Sequence, residues 1–220
     1  SLKLSYYLDF MKIVSTTAYQ TITGLDWKYD ADFTQYEILG FESRTPENTF
    51  SQELRFENQD VNKKLKWMIG LFYLNSRKDD NYNAMLLSYK KQINQSISPY
   101  GMEITNLDQY TQGKTNVSNI AIFGNISYTL FNNFDINIGY RYEKENSDID
   151  CITYFDYKGT LPNPIPDLLK PSLGFLNIKD TNKRTLNTDF FSHKYAMSYR
   201  FDNNNMLFIN ISSGVHGGGF

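Results

Sequence analysis

The segment FDINIGYRYE (134–143) alternates without a fault. Phe134, Ile136, Ile138, Tyr140 and Tyr142 fall on one side, and Asp135, Asn137, Gly139, Arg141 and Glu143 fall on the other. Only an extended chain, whose side chains repeat every two residues, separates these sets; a helix would mix them. The preceding IAIFGNISYTL (120–130) splits the same way, with Ile120, Ile122, Ile126, Tyr128 and Leu130 together. FSHKYAMSYRF (191–201) and the stretch from Leu207 to Ile211 repeat the pattern, as do Phe50–Phe56 and Trp67–Tyr73. The pair near 2–8 and 13–24 repeats it more weakly. The chain therefore reads as about eight strands, each with one apolar and one wet face.

Composition narrows the architecture. With 17 Tyr and 16 Phe, aromatics make up 16% of the 220 residues, yet the mean hydropathy is −0.50. Aromatic enrichment without long apolar blocks fits an antiparallel sheet wetted on one side. It equally fits a transmembrane barrel, whose sequence signal is alternation and not bulk hydrophobicity. Short turns near 9–12, 58–64, 131–134 and 202–205 alternate strictly with long polar connections near 25–48, 77–116 and 147–185. One trim rim and one elaborated rim are what barrels of the bacterial outer membrane show. Tyr140, Tyr142, Tyr199, Phe134 and Trp67 bound the apolar faces, as interfacial girdles do. A soluble sandwich is the alternative, because half of each of its strands is also apolar.

Several function classes drop out. The net charge is −2 and the basic residues are scattered, so no footprint for nucleic acid exists. Cys151 is the single cysteine, which rules out an intrachain disulfide. Asp148, Asp150 and Cys151 bring ligand types together, but the chain has two histidines, one on a strand and one beside glycines, and no metal site is expected. The opening SLKLSYYLDF shows no signal peptide, and no apolar run approaches the length of a membrane helix. The closing SSGVHGGGF resembles the oxyanion segment of esterases, but no G-x-S-x-G elbow accompanies it. No catalytic residues are assigned, and the chain is not read as an enzyme.

FSQELRF (50–56) followed by WMIGLFYLNS (67–76), AIFGNISYTLFNNFDINIGYRYEKE (121–145), and FSHKYAMSYRFDNNNMLFINISSGVHGGGF (191–220) resemble the barrel portion of TonB-dependent outer-membrane receptors. STTAY (15–19) and DADF (30–33) are similar to an earlier hairpin of that barrel. The resemblance implies an all-β fold: an antiparallel transmembrane β-barrel segment, about eight strands of a larger barrel of about 22. It implies short periplasmic turns and long extracellular loops, with Gly217 to Gly219 at the top of a strand. Residues 1–220 would be a partial barrel domain, an interior slice with both ends outside, lacking the plug domain and the closing strands.

The implied function is capture of a scarce nutrient, a ferric siderophore above all, and its import with energy from the TonB complex. Partners would be the lipid bilayer, the protein's own plug and the small-molecule ligand. The chelate is transported, not a cofactor, and no cofactor is expected. Glu53, Arg55, Arg141, Glu143 and Arg200 are the candidate plug-facing groups, since they lie on the wet side of their strands; alternatively they solvate the lumen or pair across strands. Tyr82, Tyr89, Tyr100 and Tyr110 in the 77–116 loop, and Tyr154 and Tyr157 in the 147–185 loop, are the candidate ligand contacts. Two rival readings share parts of the pattern: a secreted carbohydrate-binding β-sandwich, and a small closed structural or adhesive barrel.

Overall fold

A computed structural model of the chain describes residues 1–24, 26–31, 33, 35, 38–58, 63–131, 133–161, 164, 167, 170–202 and 205–214. Gly217 to Gly219 lie outside the described residues. The strands are β1 (Leu2–Tyr7), β2 (Met11–Ile22), β3 (Trp27–Asp30), β4 (Gly40–Arg44), β5 (Glu47–Asn58), β6 (Leu65–Met85), β7 (Ile104–Leu130), β8 (Phe134–Gly159), β9 (Lys179–Arg200) and β10 (Met206–Ser212). Helix α1 (Leu87–Ile97) lies between β6 and β7, and the one-turn α2 (Lys170–Leu173) between β8 and β9, each followed by a 3-10 turn. All ten strands join one antiparallel sheet in the order β1-β2-β5-β6-β7-β8-β9-β10, with β4 against β6 and β3 against β4. Among the described residues no second sheet stacks on this one, so the sandwich architecture is not the one adopted. The path ends at β1 and β10 without closing.

The long polar connections expected at 25–48, 77–116 and 147–185 are largely strand. Strand β6 runs to Met85, β7 starts at Ile104, β8 runs to Gly159 and β9 starts at Lys179. The first connection also contains ladder, over 27–30, 40–44 and 47–48. β4 faces β6 in the same register as β5 does, Arg44 opposite Asn81 and Glu47 opposite Lys78, so β4 and β5 are one strand interrupted at Pro46. Proline has no N–H to give the ladder there. β3 likewise extends β2, but one extra residue separates Ile22 (opposite Glu47) from Trp27 (opposite Ser43), which is a bulge. Gly24 sits in it at φ 87°, and a Cβ on it would stand 3.1 Å from the Pro46 nitrogen. The bulge needs a residue that tolerates both.

The two faces have opposite environments. Ile120 is 61% exposed and its neighbour Ala121 only 3%. On the side of Ala121, Val14, Asn119 and Ser147 are buried too, so this polar-rich face is the crowded, concave one. Opposite it, Leu71, Ile122, Tyr142 and Phe191 form one cross-strand row, and Trp67, Ile126, Ile138 and Tyr195 another. This outward band spans Leu65–Tyr73 on β6, Ile120–Leu130 on β7 and Phe134–Tyr142 on β8. At about 3.4 Å per residue and a tilt near 40° the band stands roughly 21–26 Å tall, matching the lipid-facing height of an outer-membrane barrel. At its upper edge the Tyr142 hydroxyl reaches Asp189 at 3.2 Å, and the Tyr140 and Tyr195 hydroxyls meet at 2.6 Å. Each ring keeps an apolar body in the band and gives its polar tip a partner.

An apolar core lies above the band. Ile93 and Ile97, one turn apart on α1, pack with Ile104, Leu107, Leu161, Leu173 and Leu176, and with the flanking Phe155 and Tyr157. Leu107 and Tyr157 are register partners and share the inward parity of Arg141 and Glu143, so the helical connections fold over the concave side. Asn94 fixes the junction: its Oδ1 accepts from the Ile104 N–H at 2.7 Å and its Nδ2 donates to the Ile104 carbonyl at 2.7 Å. The side-chain amide thus acts as a strand partner where β7 begins.

This arrangement makes Ile138 and Asn137 a diagnostic pair. Ile138→Arg should destabilise the membrane-inserted protein by about 2–4 kcal/mol near the bilayer midplane, while Asn137→Arg should cost little. Single cysteines settle the face: position 138 should react with a lipid-soluble probe and resist an impermeant one, and position 137 the reverse. Protection of position 138 from both reagents would place it in a protein core and contradict the lipid-facing assignment.

Candidate functional site

The concave wall is organised in rows set by register. Arg55, Gly70, Phe123 and Arg141 lie in one row across β5–β8, and Glu53, Phe72, Ala121 and Glu143 in the next. The two Arg–Glu couples therefore occupy the same two register rows, three strand spacings or about 14 Å apart. Each pairs along its own strand and not across strands. Arg55 Nε lies 3.0 Å from Glu53 Oε1, in ion-pair range but without hydrogen-bond alignment. Arg141 Nε contacts Glu143 Oε2, whose other oxygen accepts from Asn119 Nδ2 at 2.5 Å.

Between the couples stand two aromatic rings. The Arg141 guanidinium sits 5.3 Å from the Phe72 ring centre and 5.5 Å from that of Phe123, within cation–π range of both. Phe123 lies across Gly70, where an added Cβ would meet its ring at 2.3–2.8 Å. A side chain at 70 would thus displace the ring that flanks Arg141. Arg200 is elsewhere: near the short turns it bonds Asp135 at 3.1 Å across strands, with Thr129 holding the other oxygen of Asp135 at 2.6 Å. Four of the five wet-face candidates therefore form one wall patch, and Arg200 is separate.

The six tyrosines do not form one loop-borne site. Tyr82, Tyr110, Tyr154 and Tyr157 stand on strands, Tyr89 on α1 and Tyr100 on the following 3-10 turn. Tyr82 faces inward, 5.9 Å from Phe41, which in turn meets Tyr29 at 5.3 Å. Its hydroxyl bonds Asp80 at 3.2 Å, and Lys78 holds the same carboxylate at 2.8 Å. Burial, then the Asp80 charge, raises the Tyr82 pKa, so the hydroxyl stays protonated at neutral pH. Tyr110 and Tyr154 stack on the outer face with centroids 5.5 Å apart. Tyr89 meets Phe175 edge-on at 6.0 Å, and Tyr157 packs against the apolar core; these two hold the connections together. Tyr100 is exposed.

Asp148 and Asp150 point outward and Cys151 inward, so the three do not converge. Sequence reasoning passed over Phe72, Gly70 and Asn119 because their neighbours across the sheet come from distant strands. The one signal for them was Phe123, the lone large apolar residue on an otherwise small and polar face.

The contact between Gly70 and Phe123 is testable. Gly70→Ala should destabilise the full-length barrel by about 1–3 kcal/mol through overpacking, read as a lower urea midpoint. Phe123→Leu in the same chain should recover most of the loss. Additive losses in the double variant would show that the ring does not rest on Gly70.

Over residues 1–219 the chain matches the family described as TonB dependent receptor-like, beta-barrel. Its fold is similar to that of the ferric yersiniabactin uptake receptor FyuA from Yersinia pestis, with a TM-score of 0.67 at 14% identity over 93% of this chain and 26% of that one. It is also similar to the siderophore receptor PiuA from Acinetobacter baumannii, with a TM-score of 0.56 at 13% identity over 94% of this chain and 30% of that one. The chain thus spans between a quarter and a third of the receptors whose fold it shares. An outward apolar band of bilayer height, a paired polar inner wall and this family match agree: the chain belongs to the TonB-dependent receptors and forms part of their β-barrel.

Proposed function

We propose that the whole protein is an outer-membrane receptor that captures a ferric siderophore and imports it with energy from the TonB complex. In this reading residues 1–220 are a partial barrel domain that walls the channel and seats a plug contributed by another part of the protein. The carrying observation is the division of single strands into a lipid-facing band and a polar wall whose charges are already paired. Such a wall suits passage of a hydrated, polar cargo. One similar structure is by name a siderophore receptor and another a ferric yersiniabactin uptake receptor, which favours an iron chelate over other nutrients. Transport, and not catalysis, is the activity assigned.

The Arg141 patch is the surface against which the plug would rest. Its guanidinium is committed to Glu143 and two rings, so it offers a flat, rigid contact more than a free charge. Tyr82 with Phe41 and Tyr29, inward-facing and above the band, form the aromatic surface a chelate would meet first.

Cells lacking the gene should lose uptake of radio-iron supplied as a siderophore, and the full-length protein should fractionate with outer membranes and require detergent. Arg141→Gln should leave barrel assembly intact while lowering uptake several-fold, since it removes a cation–π contact worth about 0.5–2 kcal/mol. Normal uptake of every siderophore in the deletion strain would refute the transport assignment. A water-soluble monomer with a β-rich spectrum would refute the membrane assignment.

A further inference from the structure

A cleft of about 390 Å³ opens on the outer face, away from the lumen. Its floor is Asn81 and Asn83 of β6 with Tyr110 and Gln112 of β7, all of the outward parity of Ile69 and Ile122. Its wall is the strand extension, with Lys28, Glu42, Arg44 and Asp26. On β8 the register partner of Tyr110 is Tyr154, twelve residues beyond the band-edge Tyr142. On the strands that floor the cleft, Asn81 and Gln112 lie eight residues beyond the band-edge Tyr73 and Ile120, so at about 3.4 Å per residue and a tilt near 40° it stands roughly 20–25 Å above the lipid edge. Nothing apolar from the bilayer reaches it.

The chemistry of the cleft selects against ions. Lys28 is paired with Glu42, and Arg44 lies 3.7 Å from Asp26, so both cations already face an anion. An anionic ligand would have to break these pairs. The floor instead supplies three primary amides, each with donors and an acceptor, and Asn83 Oδ1 is buried without a hydrogen-bond partner. A buried acceptor left open is costly unless something fills it. Beside it stands the Tyr110 ring, held flat against Tyr154. Burial, with the Asp108 and Asp156 charges, raises the Tyr110 pKa, and its hydroxyl is engaged by Asp108, which leaves the ring face to the cleft.

We propose that this outer cleft binds a neutral saccharide, its C–H face on Tyr110 and its hydroxyls on Asn81, Asn83 and Gln112. Flat aromatic surface beside amides of both donor and acceptor character is what a pyranose, with one apolar face and an equatorial ring of hydroxyls, requires. The saccharide could come from two sources, the cell's own surface polysaccharide or a free glycan. The site is distinct from the transport path, and the proposal goes beyond the receptor reading.

The test uses full-length protein in detergent, without the energy complex, so a failure of the transport reading leaves it standing. Calorimetric titration is run with two probes: polysaccharide released from the surface of the same cells, and maltoheptaose. At least one should bind; the first alone identifies a coat contact, the second a free-glycan site. Tyr110→Ala and Asn83→Leu should each weaken binding by about tenfold, Tyr110→Phe should keep most of it, and inorganic phosphate should not compete. Gel mobility before and after heating confirms that each variant is a folded barrel. Absence of binding to both probes, binding indifferent to these substitutions in folded variants, or displacement by phosphate would overturn the proposal.

Discussion

Backbone groups in lipid have no water to bond, so every N–H and C=O in the band must find a partner on a neighbouring strand. That requirement explains the regularity of this sheet. From β2 to β9 the ladder runs through the band without a register slip. Irregularities stay outside it: the bulge at Gly24 opposite Pro46, and the shift between Ile104 and Asn106. A one-residue slip within the band would turn Ile122, Ile138 and Met197 inward and Arg141 and Glu143 toward lipid. Register, face and membrane position are therefore one constraint, set by the two-residue period.

The same constraint decides what the sequence reveals. Between Leu65 and Tyr73, or Phe134 and Tyr142, lipid on one side and a wet lumen on the other impose alternation, and the strands are legible. Above the band the outer face is wet, and the inner face is largely polar except where Leu107 meets the helical connections. TNLDQYTQGKTN (105–116) carries no apolar period, although it is continuous strand from Ile104 onward. Polarity there reads as loop, although Tyr82, Tyr110, Tyr154 and Tyr157 stand on strands; Tyr89 and Tyr100 do lie in the connection between β6 and β7. The register partners that reveal these extensions, such as Gln112 with Asn81 and Ile152, come from three different strands. No local window contains them.

Legibility of the wall patch was partial for a related reason. Arg141 and Glu143 could be placed on the wet face by parity alone, and so could Glu53 and Arg55. What they touch could not. The pairing along each strand, and the Phe72 and Phe123 rings that flank Arg141, follow from the order β5-β6-β7-β8 and its register. Partly exposed ion pairs of this kind contribute little stability by themselves. Their effect on the wall is neutralisation: the concave face presents dipoles and ring faces more than fixed charge.

The connections above the band are held by a different force. An isolated helix of eleven residues is marginal in water, and α1 shows no side-chain cap. Its order comes from Ile93 and Ile97 packing against Leu173 and Leu176 of the other long connection, over Leu107 of the sheet. Each such side chain contributes about 1.5–3 kcal/mol when fully buried, and Asn94 ties the helix to the first residue of β7. Neither connection can lift from the concave side without exposing apolar surface of the other. Two segments some eighty residues apart in sequence therefore behave as one folded unit over the lumen, and any opening of the mouth on this side must move them together.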